Sequence, residues 1–230
     1  MDKLSQKDIT KDMRNFTHDI KKHSAFTMIE LIMVIIVLGI LTALAIPRLN
    51  RDLTQEAADD ILSQIRFTQH MALVDDKHRF NQPDWQRSFW RIMFSSCSDG
   101  SLAFRIGSDS DRSGGGFTAA EAALDPINGR PFHFANNGDC DLTTISPNIR
   151  IGKKYGITAI AGKGGCNNIQ NIGFDHLGRP HVGFEDSNIP NYNSYMTNTC
   201  TFTFTINDNN FSIDIEPETG YAHITGQNNS

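Results

Sequence analysis

The run Phe26–Ile46, FTMIELIMVIIVLGILTALAI, constrains this chain more than any other stretch. About 21 residues at 1.5 Å rise per residue make a helix long enough to cross roughly 30 Å of bilayer hydrocarbon. The first 25 residues hold six Lys/Arg against four Asp, whereas the chain from Phe26 onward is net −7. That asymmetry places the N-terminus in the cytoplasm and the bulk on the far side of a membrane. Ala43-Leu44-Ala45 has the small residues of a signal-peptidase site. The run nevertheless exceeds the apolar core of a secretory signal, about 7–15 residues, and it contains an acid, so ordinary secretion is the poorer reading.

The acid is Glu30, one helical turn inside the apolar boundary. A carboxylate there is expensive unless a cation neutralises it. Cleavage before Phe26 would create an α-amino group at the same depth, able to pair with Glu30 of a neighbouring subunit and set the register of assembly.

Lys21-Lys22-His23-Ser24-Ala25 followed by Phe26-Thr27-Met28-Ile29-Glu30-Leu31 resembles the prepilin peptidase site of type IV pilins and type II secretion pseudopilins. The resemblance implies cleavage between Ala25 and Phe26, N-methylation of Phe26, and Glu30 as the assembly carboxylate. Pro47 stands where such proteins carry a helix-kinking proline. Ala25 departs from the Gly usual at that position, and a start at Met13 would give a shorter, still basic leader. The implied partners are other pilins or pseudopilins, a prepilin peptidase, an inner-membrane assembly platform and the lipid bilayer. The implied place is the inner membrane, single-pass, with a periplasmic globular domain built into a pilus or pseudopilus. Residues 1–25 then form the leader, 26–47 the transmembrane assembly helix, 48–76 its amphipathic continuation and 77–230 the β-rich body.

Beyond Pro47, residues Leu49, Leu53, Ala57, Ile61, Ile65, Thr68 and Ala72 share one helical face, so the spacing predicts a helix running to about Val74, with its second half on a core. Pro47 removes one backbone hydrogen bond and bends the helix without ending it. After Pro83 the pattern becomes short apolar-aromatic runs, read as strands at 89–94, 102–106, 169–174, 181–184, 200–206 and 211–215. The last two alternate strictly about Asn207-Asp208-Asn209-Asn210, a hairpin burying Phe202, Phe204, Phe211, Ile213 and Ile215. Trp85 and Trp90 are packing candidates. The expected fold is α+β, a pilin-like long helix on an antiparallel sheet. The stretches 171–179 and 215–221 resemble strand-and-turn signatures of GspH/FimT-type minor pseudopilins.

Cys97, Cys140, Cys166 and Cys200 lie beyond the apolar run and lack Cys-x-x-Cys spacing. They read as disulfide partners, with three pairings open. Asp109, Asp111 and Ser113 match the first half of a calcium loop, but position twelve is Ala120, so a surface loop is the better reading and no cofactor is expected. His70, His78, His133, His176, His181 and His223 are scattered, and no spacing suggests a triad or metal centre. No enzymatic activity is expected. A DNA-binding minor pilin of natural transformation is the alternative, resting on Arg150, Lys153, Lys154 and Lys163. The Lys/Arg-free segment 221–227 and the acidic body count against DNA.

Overall fold

The computed structural model describes residues 27–114, 116–167, 169–207 and 209–227, and along 44–52 it describes the helix backbone without side chains. The chain divides into two compact units, Met1–Pro47 and Arg48–Ser230. Helix α1 (Met28–Val74) continues through Pro47, so the proline does not end it.

In the second unit Ala57, Ile61, Ile65, Thr68 and Ala72 of the expected helical face are buried, and Ala58 and Leu62, which were not expected, are buried beside them. Their spacing of three and four residues keeps them on one stripe. Leu53 was expected on the stripe but is 44% exposed, because the buried face starts one turn later. Leu49 lies among the residues whose side chains are not described.

The body is α+β. Its elements are β1 (Trp90–Ser96), β2 (Leu102–Gly107), α2 (Ile151–Tyr155), β3 (Ile157–Gly164), β4 (Asn171–Phe174), β5 (Pro180–His181), β6 (Cys200–Ile206), β7 (Asn209–Ile215) and β8 (Ala222–Ile224). They form two antiparallel four-stranded sheets, ordered β2-β1-β4-β5 and β3-β6-β7-β8. Phe94 of β1 meets Phe202 and Phe204 of β6 edge-on, with centroids 5.5 Å apart in each pair, which joins the two sheets in one core.

Phe202, Phe204, Phe211, Ile213 and Ile215 are all buried, as strict alternation requires. The turn is tighter than expected. Ile206 pairs with Asn209, so Asn207 and Asp208 alone connect the strands. Asn207 takes a positive φ of 51°, the conformation two-residue hairpin loops demand, while Asp208 lies outside the described residues. The expected strand at 181–184 reduces to the end of β5, since Val182 bonds into the Ser194 turn and Gly183 turns left-handed. Strands β3 and β8 escaped the pattern reading because Ala and Gly dilute the alternation in ITAIAGKG and β8 spans only three residues.

Two disulfides close: Cys97–Cys140, with Cα atoms 5.8 Å apart, and Cys166–Cys200, at 5.0 Å. The first fastens the irregular segment after β2 back to the end of β1. The second ties the end of β3 to the start of β6, beside the Gly164–Cys200 register pair.

Gln69 of α1 clamps two distant turns, donating to the carbonyls of Gly178 and Thr219 at 2.9 Å each. Gly220 must be glycine there. Its φ is +65°, and an added Cβ would sit 2.2 Å from the Gly178 carbonyl oxygen. Gly220→Ala is expected to destabilise the full chain by about 2 kcal/mol or more, read as a lower midpoint in urea. Replacing Cys166 and Cys200 together by Ala should cost about 2–4 kcal/mol, read as a lower urea midpoint under oxidising conditions, where Cys97–Cys140 stays closed.

Candidate functional site

The N-terminal end of α1 is set by Thr27, whose hydroxyl accepts from the Glu30 amide at 3.3 Å and whose carbonyl accepts from the Leu31 amide at 3.1 Å. A threonine at this position satisfies donors the helix leaves orphaned. Glu30 falls in the first turn, where the helix dipole favours an anion. Around it Met28, Ile29, Leu31, Ile32, Met33 and Val34 are exposed, and apolar exposure continues on all sides to Leu41. Thr42 folds its hydroxyl back onto the Leu38 carbonyl at 2.6 Å, so this polar group is satisfied within the helix. Among the described residues no helix is long and apolar enough to cross a membrane. The described side chains stop at Ala43, so Leu44, Ala45 and Ile46 of the expected span are not among them, and Ala25 and Phe26 lie outside the described residues.

The acidic loop gathers Asp109, Asp111 and Glu121, whose carboxylate oxygens lie within 4.8 Å of one another. Ser113 contributes its backbone amide, donating to Asp109 at 3.2 Å and Asp111 at 2.9 Å. Glu121 accepts from the amides of Ser110, Asp111 and Thr118 at 2.8, 3.0 and 2.9 Å. Burial would raise the Glu121 pKa, but these bonds outweigh it and hold the group below its ordinary value. The fully buried Arg91 guanidinium stands 4.0 Å from Asp109. Amides and an arginine therefore already occupy much of the charge that a calcium ion would need, and the cluster's evident work is closing the loop.

The basic residues near α2 are similarly engaged. Lys154 pairs with Asp60 at 3.1 Å, Lys153 with Asp99 at 2.9 Å and also with Asp141, and Arg150 with Asp141. Tyr155 donates to Asp60 at 2.8 Å; burial, then the Asp60 hydrogen bond, pushes its phenol up. Three of the four side chains that suggested a phosphate-binding face are thus matched by carboxylates, while Lys163 is exposed and makes no ion pair among the described residues.

Three of the scattered histidines converge. His78 stacks on His176 with centroids 5.5 Å apart, and His181, 3.4 Å from Asp175, lines the same cleft. Asp175 is buried and accepts from the amides of Leu177 and Arg179 at 2.9 Å each, from Arg179 Nε at 2.7 Å and from His181 Nε2 at 3.4 Å. Sequence reading missed this group because its members come from separate segments. The local signal was Asp175 followed by Gly178 and Arg179, a turn in which a carboxylate caps its own backbone. Burial by itself would raise the Asp175 pKa; the hydrogen bonds from His181, Arg179 and the two amides overcome it and hold the carboxyl well below the usual carboxylate range. A depressed folded pKa contributes stability that is complete above the unfolded value and is lost as pH falls through the folded one. Asp175→Asn is accordingly expected to lose about 2–3 kcal/mol at pH 7, with the deficit shrinking as urea unfolding is repeated at progressively lower pH below 4.

No curated protein and no solved structure matches the chain. A family model described as the prokaryotic N-terminal methylation motif matches residues 20–46. The match covers the basic end of the expected leader, Ala25, Phe26, Glu30 and the apolar stretch as far as Ile46. The chain therefore carries a prokaryotic N-terminal methylation motif over residues 20–46, the stretch in which the prepilin-type processing site was expected.

Proposed function

We propose that this chain is a minor pilin or pseudopilin, a subunit that joins a filament of a type IV pilus, a type II secretion system or a DNA-uptake machine through α1. The observation that carries the reading is Glu30, the one ionisable residue between Thr27 and Pro47, set in the first turn of a helix whose apolar side chains are exposed on every side. Such a surface requires lipid or other helices around it, and the carboxylate requires a cation at the same depth.

On this reading the prepilin peptidase cuts between Ala25 and Phe26, Phe26 is N-methylated, and its amino group meets Glu30 of an adjacent subunit. Residues 26–47 anchor the subunit in the inner membrane before assembly, 48–76 continue the helix, and 77–230 form the periplasmic body. The disulfides suit that oxidising compartment. The stretches 171–179 and 215–221, held together by Gln69, resemble GspH/FimT-type signatures, and it is that resemblance which supports a minor pseudopilin of that type.

DNA capture is the weaker alternative, because, of its four basic residues, Arg150, Lys153 and Lys154 are paired with Asp60, Asp99 and Asp141, which leaves Lys163 alone exposed and unmatched among the described residues. A polyanion would have to displace those carboxylates.

Mass spectrometry of the chain purified from its host should find a mature N-terminus at methyl-Phe26; an intact leader, or a cut near Ala45, would end the proposal. Glu30→Val should leave membrane insertion intact but reduce recovery in sheared filaments by about tenfold or more, as expected when a desolvated charge pair is lost.

A further inference from the structure

The cleft that gathers the histidines has a volume of about 490 Å³, within the roughly 300–1,000 Å³ typical of small-ligand sites. Phe80, 95% exposed, and Trp85 line it from the segment between α1 and β1. Tyr192, 81% exposed, and Tyr195 line it from the segment before β6. These two segments are pinned together. Gln86 donates to the Asn191 carbonyl at 3.2 Å and accepts from its amide, fixing the aromatic residues on either side before any ligand arrives. His78 braces the first segment, with its ring 4.4 Å from Phe80 and 4.2 Å from Trp85.

Polar groups also line the cleft, and they carry almost no net charge. Arg179 is bound to Asp175 through Nε at 2.7 Å and Nη2 at 2.6 Å, and its guanidinium lies 5.3 Å from the centre of the Tyr195 ring. His181 is taken up by Asp175 and by Ser194 Oγ at 2.9 Å. His176 Nδ1 is a buried atom without a hydrogen-bond partner, its nearest carboxylate being Asp76 at 3.8 Å.

Four large aromatic residues and an internally neutralised ion pair define the ligand chemistry. A polyanion finds no unmatched cation here, and Asp76 and Glu218 add negative charge near the cleft. A wholly apolar ring would strip water from the Arg179–Asp175 pair without replacing its hydrogen bonds, which is costly. A sugar ring meets both demands: its C–H faces lie against the electron-rich faces of aromatic rings, and its hydroxyls replace the displaced water. The geometry points to a binding site for a neutral saccharide in this cleft, with Phe80, Trp85, Tyr192 and Tyr195 as stacking residues and Arg179 as a hydroxyl partner. The site is a recognition function of the body and is independent of how α1 assembles.

The test uses the full chain in a detergent without a sugar headgroup, first on an array of neutral oligosaccharides, then by titrating the strongest binder against tryptophan fluorescence. Saturable binding is expected, weakened about tenfold in both Phe80→Ala and Tyr192→Ala. Both side chains are exposed, so unchanged thermal unfolding will show that the variants are folded. The site would be disproved by an array with no saturable binder, or by affinities unchanged in both variants. It would equally be overturned if single-stranded oligothymidylate displaced the sugar with a steep salt dependence, which would assign the aromatic residues to nucleic acid.

Discussion

The apolar stripe on the second half of α1 is what the body is built around. Ala57, Ile61, Ile65 and Ala72 are closed off from solvent together with residues of both sheets, and Arg66 and Gln69 beside the stripe hold the Ala222, Gly178 and Thr219 carbonyls. Without that stripe each small sheet would have an apolar face with too little to cover it. From Met28 to Leu41 the same helix exposes its described apolar side chains on all sides around one carboxylate. One helix thus carries two chemistries, and the change of pattern near Pro47 coincides with the boundary between the two compact units.

Charge in the body is managed by local pairing. Asp60, Asp99 and Asp141 absorb the cations around α2, Asp175 absorbs Arg179, and Asp109 faces the buried Arg91. Several of these carboxylates also accept backbone amides, so they fasten loops that have few backbone partners of their own. The disulfides act on the same problem, tying irregular stretches to strand ends. The outcome is a surface whose patches are less charged than composition suggests, which weakens a phosphate-binding reading and leaves aromatic exposure as its distinctive chemistry.

Where periodicity is strong, the sequence was legible. The 3.6-residue stripe of α1 and the two-residue alternation of β6 and β7 appear with nearly the expected buried residues. Leu53 was misplaced because a helical face extends past the point where the core ends. The hairpin loop came out two residues shorter because Asn209 and Asn210 join the ladder despite their turn-forming chemistry. Strands β3 and β8 were hidden by small residues or short length, where burial comes from neighbours and not from local pattern.

The sequence by itself determined the long helix, the apolar segment with its lone acid, the methylation motif and the aromatic hairpin, because each rests on residues close together in the chain. Tertiary structure alone decided the pairing of the four cysteines, the engagement of Lys153 and Lys154 by distant carboxylates, and the convergence of Phe80, Trp85, His176 and Tyr192 on one cleft. Those outcomes join segments scores of residues apart. Such contacts form only when packing has selected one topology among many, and nothing in local periodicity records that choice.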